Sequence, residues 1–236
     1  MFQATQLKHA TENELSPETR SVPPDGGGIL IVGGYGHVGR SIARRIAPIF
    51  LGRVIVAGRN LDKARRTAAE IGHGVEARAI CIRDPGAVET LHDVAIAVVC
   101  LDQCDTRFVE QCFARGIDYV DIRADYEFLS QVDGFDHLAK HNGATAMLSV
   151  GVARGLTKIL AARAVERMDR TDRIDIVLEL GLGDDHGRAA LEWMFDNLDA
   201  AYEVQENGRP KSVRSFGESI KHRSAGSACR TPGLPF

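Results

Sequence analysis

Short apolar runs alternate with longer amphipathic stretches over roughly the first 150 positions. Ile29 to Val32 is an apolar run that predicts a strand. The next stretch places Val38, Ile42, Ile46 and Ile49 at helical spacing on one face. Gly52 to Ala57 predicts a second strand. Leu61 to Ile71 predicts a helix, with Asn60 placed to cap it and Gly72 to end it. Val75 to Ile82 reads as a third strand, and Pro85 is placed to open a short helix through Leu91. Val94 to Leu101 is apolar throughout, as suits a parallel strand covered on both faces. Residues 104–115 predict a helix with Phe108, Val109, Cys112 and Phe113 inward, closed by Gly116. A fifth strand at Ile117 to Ile122, a broken helical stretch from Asp125 to His141, and a sixth strand at Ala144 to Val150 complete the series. Strands alternating with helices in this way predict an α/β fold, a Rossmann-type doubly wound parallel sheet with right-handed crossovers.

Past Gly151 the rhythm changes. A helix is expected from Gly155 to Met168, with Leu156, Ile159, Leu160, Ala164 and Met168 on one face. A longer strand, Arg173 to Gly181, follows, and then a helix from Arg188 to about Glu206 with Leu191, Phe195, Leu198 and Tyr202 inward. One strand is expected near Lys211 to Phe216, and an irregular tail from about residue 222. The expected organisation is a flexible tail over 1–27, a nucleotide-binding domain over 28–151, and a partial α+β substrate or dimerisation domain over 152–236.

The first strand leads directly into Gly34-x-Gly36-x-x-Gly39 and then into the first helix. Strand, glycine turn and helix form the context a dinucleotide fingerprint requires. Gly34 is expected to make the tight turn, Gly36 to admit a pyrophosphate, and Gly39 to let helix and strand pack closely. The helix N-terminus offers N–H groups and a positive dipole end. Tyr35, His37 and Val38 fill the variable positions, where the backbone would do the binding. His37 either adds charge there or faces solvent. Arg59 stands twenty positions after Gly39, at the end of the second strand, beside Asn60. An acid there would suit an NAD ribose, whereas an arginine suits the 2′-phosphate of NADP, which a planar guanidinium grips in bidentate fashion. The expected cofactor is therefore NADP, with NADPH preferred over NADH.

Ligands of open parallel sheets sit beyond the carboxyl ends of strands, so Leu101, Asp102 and Gln103 are expected to face the ribose and nicotinamide. Asp84 ends the third strand, where such folds contact the adenine edge, and also suits a cap of the following helix; the two roles are compatible. Asp121, Arg123, Asp125 and Tyr126 follow the fifth strand. Asp121 is the candidate acid/base or substrate-anchoring group. Arg154 is a candidate for a substrate carboxylate, or a solvated residue at a helix start. Asp184-Asp185-His186 lacks the spacing of a defined metal site, and Asp185 reads better as a helix cap. No metal is expected.

Composition narrows the classes. Of 236 residues, 44% are hydrophobic and 26% charged, and the formal net charge is −3. No basic surplus points to nucleic acid, and no apolar run approaches the roughly 18 residues of a membrane span. The N-terminus lacks the apolar core of a secretion signal. The five cysteines have no CxxC spacing and read as free, largely buried thiols of a reducing cytoplasm.

Together, Gly33-Gly-Tyr-Gly-His-Val-Gly-Arg40, Ala57-Gly-Arg-Asn60, Val99-Cys-Leu-Asp-Gln103 and Gly116-Ile-Asp-Tyr-Val-Asp121 resemble the saccharopine dehydrogenase-like family of NADP-binding reductases. The stretch from Gly143 to Leu156 is similar to the family's strand that ends in a Gly-x-x-Pro-Gly-Leu turn, with Arg154 where the family has proline. The resemblance covers roughly residues 28–220. It implies hydride transfer to or from an imine or carbonyl of a small amino-acid-like substrate. It also implies a mixed-sheet second domain, of which this chain reads as holding part, and a homodimer. The alternative is a non-catalytic NAD(P)-binding sensor or scaffold with an incomplete substrate domain.

Overall fold

The computed structural model describes residues 26–123, 125–174, 176, 195–206, 209–215, 218–224 and 227–233. They fall into two compact units, one with the described residues up to 176 and one with those from 195 onward.

The first unit carries six strands: β1 Gly28–Val32, β2 Val54–Gly58, β3 Glu76–Ala79, β4 Val94–Val99, β5 Asp118–Asp121 and β6 Ala146–Met147. Their order is β3-β2-β1-β4-β5-β6, and every neighbouring pair is parallel. The chain runs outward from β1 to β3 and then returns to place β4 against the free side of β1. That reversal opens a crevice at the carboxyl ends of β1 and β4. The helices are α1 His37–Ile46, α2 Leu61–Ile71, α3 Arg107–Ala114, α4 Tyr126–Asp133, α5 Asp136–Asn142 and α6 Thr157–Val165.

Both faces of the sheet are covered, which is why β1, β2 and β4 read as unbroken apolar runs. Ile29, Ile31, Val54, Val56 and Val98 meet Ala43, Ala47 and Ala64 on one face. Leu30, Val32, Ile55, Ala57, Ala97 and Val99 share the other core with Phe108, Val109, Phe113, Phe128 and Val132. The expected α2 caps are present. Asn60 Oδ1 accepts the Lys63 N–H at 2.9 Å, and Gly72 takes φ +70°.

Several expectations need correction. Of the expected α1 stripe, Ile42 and Ile46 pack partly buried against the core beside the fully packed Gly39, Ala43 and Ala47, whereas Val38 is 41% and Ile49 72% exposed. Small residues win because the helix must sit close to the strands. A Cβ on Gly39 would lie 2.7 Å from Gly34 Cα. β3 and β6 are shorter than expected; both are edge strands with pairing on one side only. The segment after Pro85 forms only a 3-10 turn, Ala87–Thr90. Before α6 the chain makes a wide turn over Val152–Leu156. The expected inward stripe of α6 is not covered among the described residues: Leu156, Ile159 and Leu160 are all more than half exposed. Cys81 and Cys104 are exposed rather than buried, because both lie in loops. Burial pushes the thiols of Cys100 and Cys112 up, to about 11 and about 12.

In the second unit, β7 Ala201–Glu206 pairs antiparallel with β8 Arg209–Arg214, and β9 Glu218–Ser224 with β10 Ser227–Gly233. Of the helix expected to reach Glu206, residues 201–206 are therefore strand and 188–194 lie outside the described residues, and of the tail expected to be irregular from about 222 the described residues 222–224 and 227–233 are hairpin strands. Asn207-Gly208, two residues between Glu206 and its partner Arg209, is a strong hairpin signal. Tyr202 faces Val213 across the strands instead of lining a helix. Of the strand expected over Arg173 to Gly181, residues 173, 174 and 176 are described and are not in a strand. The remainder lies outside the described residues, as do Asp184, Asp185 and His186.

Candidate functional site

The glycine loop is built from backbone. At the end of β1, Gly33 takes φ +78°, so the left-handed turn falls one residue before the expected Gly34. Gly33 and Gly34 both donate their N–H to Ala57 O, at 2.9 and 3.1 Å, tying the loop to β2. A Cβ on Gly34 would lie 2.7 Å from Ile31 O and 3.1 Å from Val56 Cγ1. Gly36 has no such neighbour except Gly33 O at 3.1 Å, and it is exposed. It precedes α1 without contributing a capping side chain, and the first turn of α1 holds no acid. An open glycine at an uncapped helix N-terminus is a cradle for an anion. His37 and Val38 begin α1, both exposed. The side chain of Leu101 reaches back towards this loop, its Cδ2 3.6 Å from where a Gly33 Cβ would be.

Arg59 follows β2 directly and is exposed. Among the described residues its side chain makes no hydrogen bond or ion pair. Tyr35 crosses from the glycine loop to the same place. Its hydroxyl accepts the Asn60 N–H at 3.3 Å, and its ring lies where a Cβ on Gly58 would be, 2.5 Å from Cε1. The structure thus brings Gly34, Tyr35, Gly36, Arg59 and Asn60 to one rim.

The ends of β4, β5 and β6 are joined by a buried polar network. Gln103 Nε2 donates to the Tyr119 hydroxyl at 2.5 Å, which donates to Asp121 Oδ2 at 3.2 Å. Asp121 Oδ1 accepts the N–H of Arg123 at 3.2 Å and of Ser149 at 3.0 Å. The Arg123 guanidinium donates to Gln103 O and, at 3.1 Å, to Asp125 Oδ2, and it lies 4.4 Å over the Phe128 ring. Asp121 is 1% exposed and Tyr119 is fully buried. Burial pushes the Asp121 carboxyl above its ordinary range, against the lowering effect of its hydrogen bonds. Burial, and then the Asp121 charge, push the Tyr119 phenol well up.

Of the other expected site residues, Asp84 makes the expected cap. Its Oδ1 accepts the Gly86 N–H at 3.0 Å at the start of the 3-10 turn. Gln103 turns inward to Tyr119, while Asp102 stays exposed. Arg154 lies in the turn before α6, and its side chain is outside the described residues, as is that of Tyr126. Among the described residues no group of three or more His, Cys, Asp or Glu side chains could hold a metal, and no helix is long and apolar enough to cross a membrane. Tyr119 went unnoticed as a site residue, although alternation along β5 puts it on the same side as Asp121. Gln103 and Tyr119 are sixteen positions apart, so only the β4–β5 register brings them together.

A parallel sheet in this order with a glycine cradle at the β1 end defines a dinucleotide-binding domain. The family model described as the saccharopine dehydrogenase NADP binding domain matches residues 29–147, just over half the chain, and the chain belongs to that family. Comparison with curated proteins gives no match. Among solved structures, the fold is similar to apo histidine-tagged saccharopine dehydrogenase (L-Glu forming) from Saccharomyces cerevisiae, with a TM-score of 0.61 and 15% identity. That match covers 86% of this chain and 48% of the yeast one, so the chain spans about half the length of that enzyme. Triphenylmethane reductase of Citrobacter sp., complexed with NADP(H), is also similar, with a TM-score of 0.41, 15% identity, and coverage of 51% of this chain and 48% of that one.

Proposed function

We propose that this chain supplies the NADP-binding part of an oxidoreductase that transfers hydride to or from an imine or carbonyl of a small amino-acid-like substrate. The observation that carries the reading is a glycine cradle, tied to β2 and open at Gly36, beside an Arg59 with no partner among the described residues. A side chain at Gly34 or Gly39 would collide with Ile31 O, Val56 or the Gly33–Gly34 backbone and force loop and helix apart, while Gly36 stays open, so the residues present fit a pyrophosphate. Gly36 and the start of α1 would hold the pyrophosphate, and Arg59 the 2′-phosphate. Leu101, beside the loop, would line the crevice towards the nicotinamide. The bound cofactor supplies the hydride chemistry, and the protein positions it. The preference for NADPH rests on Arg59.

Asp121 takes a different role in this reading. Its carboxylate is sealed, so it positions the β5 and β6 loops at the crevice and does not itself carry protons to a substrate. That sealing favours one alternative, a chain that binds NADP and leaves acid–base chemistry to other groups or performs none.

A parallel titration of the purified chain with NADPH and NADH, read by thermal shift, tests the proposal. Stabilisation that grows with NADPH and hardly with NADH is the expected result. Absence of a shift with either overturns it.

A further inference from the structure

We infer that Tyr35 is a specificity residue of the same rim: its hydroxyl donates to the adenosine 2′-phosphate beside Arg59. The inference rests on the NADP reading above and adds a residue and a chemical role to it. The phenol oxygen accepts the Asn60 N–H at 3.3 Å, and this contact holds the hydroxyl at the rim with its proton free to donate. With the oxygen already accepting, the phenol proton stays available to donate, and among the described residues it is given to no acceptor. The hydroxyl sits against the backbone N–H of Asn60, the residue that follows Arg59 just past the end of β2. A phosphate dianion is an acceptor on all its free oxygens, so a phenol donor and a guanidinium fork suit it together.

The sequence around β2 is fitted to this placement. Gly58 has an ordinary extended conformation, so its lack of a side chain does not serve the backbone. A Cβ there would lie 2.5 Å from Cε1 and 2.8 Å from both Cζ and the hydroxyl of Tyr35. Gly58 makes room for the ring, and the ring is half-buried against the core residues under α1. Tyr35 is thus held rigidly from two sides, by packing at its ring and by the Asn60 N–H at its tip. A donor held before the ligand arrives costs little to order on binding.

The test is Tyr35→Phe, which keeps the ring over Gly58 and removes only the hydroxyl. Isothermal titration with NADP⁺ and NAD⁺, and with adenosine 2′,5′-bisphosphate and AMP, reads the effect directly. The variant is expected to weaken NADP⁺ and the bisphosphate about tenfold, and NAD⁺ and AMP less than about twofold. An unchanged affinity for the bisphosphate, or an equal loss for all four ligands, overturns the role. Wild-type binding separates this failure from that of the parent reading. If Tyr35→Phe fails selectively while wild type still prefers NADP⁺, only the tyrosine role falls; if wild type binds neither phosphate ligand, both fall. Should the variant prove unstable, the wild-type chain labelled with ¹³C at the tyrosine Cζ gives the same answer. The Tyr35 resonance should move with the bisphosphate and stay put with AMP, and a resonance that ignores both overturns the inference.

Discussion

The two faces of the sheet are packed on different principles. Under α1 and α2 the helix residues buried completely are alanines, Ala43, Ala47 and Ala64, with Ile42, Ile46 and Ile71 only partly buried beside them. On the opposite face it is bulky, with Phe108, Phe113, Phe128 and Leu91, and Phe113 meets Tyr119 edge-on with ring centroids 6.1 Å apart. Small residues bring α1 close enough for Gly39 to touch the glycine loop, which leaves the helix N-terminus beside the strand end. Large residues fill a thicker layer and shield the Gln103–Tyr119–Asp121 network from water. One face is thus built for close approach of backbone, and the other for burial of side chains. The rims differ accordingly. At β1 and β2 donors are left pointing outward, while at β4 to β6 the polar groups bond to each other.

This contrast is broken most severely at Gly39. Gly39→Val places a branched side chain against Gly34 Cα, a backbone atom that cannot step aside. We expect a loss of about 3 kcal/mol or more and no NADPH binding, by denaturant unfolding and thermal shift. Ala43→Leu should cost about 1–3 kcal/mol by lifting the same helix. A retained stability in both would show that the face needs no close approach.

The opposite rim is tested at Asp121. Asp121→Ala leaves the Arg123 and Ser149 N–H groups and the Tyr119 hydroxyl without their acceptor, and should cost about 2–3 kcal/mol. Asp121→Asn keeps an acceptor and should cost less. The pH dependence has a definite sign. The folded state holds the Asp121 proton more tightly than the unfolded one, because burial raises its carboxyl. Its contribution is therefore fully present below the ordinary aspartate value and is lost as pH rises through the raised folded value. Unfolding of wild type and Asp121→Asn across about pH 3 to 7 should show wild type gaining on the variant as pH falls. The opposite slope would mean that the carboxylate is stabilised in its charged form.

What the sequence made legible follows the same division. The β1–loop–α1 unit and the α2 caps are local, with their signals within a few residues, and they emerged as expected. The packing face of α1 did so only in part, with Ile42 and Ile46 against the core and Val38 and Ile49 exposed. Hydrophobicity points to Val38 and Ile49, whereas close approach selects Gly39 and Ala43, and periodicity alone cannot weigh those two demands. The polar network was missed because its members come from different strands and meet only through register. The Asn60 to Tyr35 contact spans twenty-five positions for the same reason. In the second unit a local signal, Asn207-Gly208, was present but overridden by the helical spacing of Phe195, Leu198 and Tyr202.

At the outward-facing rim, Arg59→Ala should leave stability nearly unchanged, since the guanidinium has no partner among the described residues. Its effect should appear in binding alone, as a loss of about 1–3 kcal/mol for NADPH with NADH within about twofold. Calorimetric titration of both cofactors checks it. Equal losses would remove the 2′-phosphate role and leave Arg59 as a general attractor of phosphate.

The smallest expected effect sharpens the comparison as much as the largest. Ile49 belongs to the apolar stripe that helical spacing would bury, yet it is 72% exposed, beyond the last turn of α1. Ile49→Ser should therefore shift unfolding by no more than about 0.5 kcal/mol, the range of an ordinary surface change. If the hydrophobic stripe were the packing face, the same substitution would remove a buried branched side chain and leave a cavity, at about 2 kcal/mol or more. Chemical denaturation resolves a difference of that size, and a loss at the upper figure would mean that Ile49 is packed along with Ile42 and Ile46. A small loss, set beside a large one at Ala43, means that the cofactor rim is positioned by the residues with the least side chain.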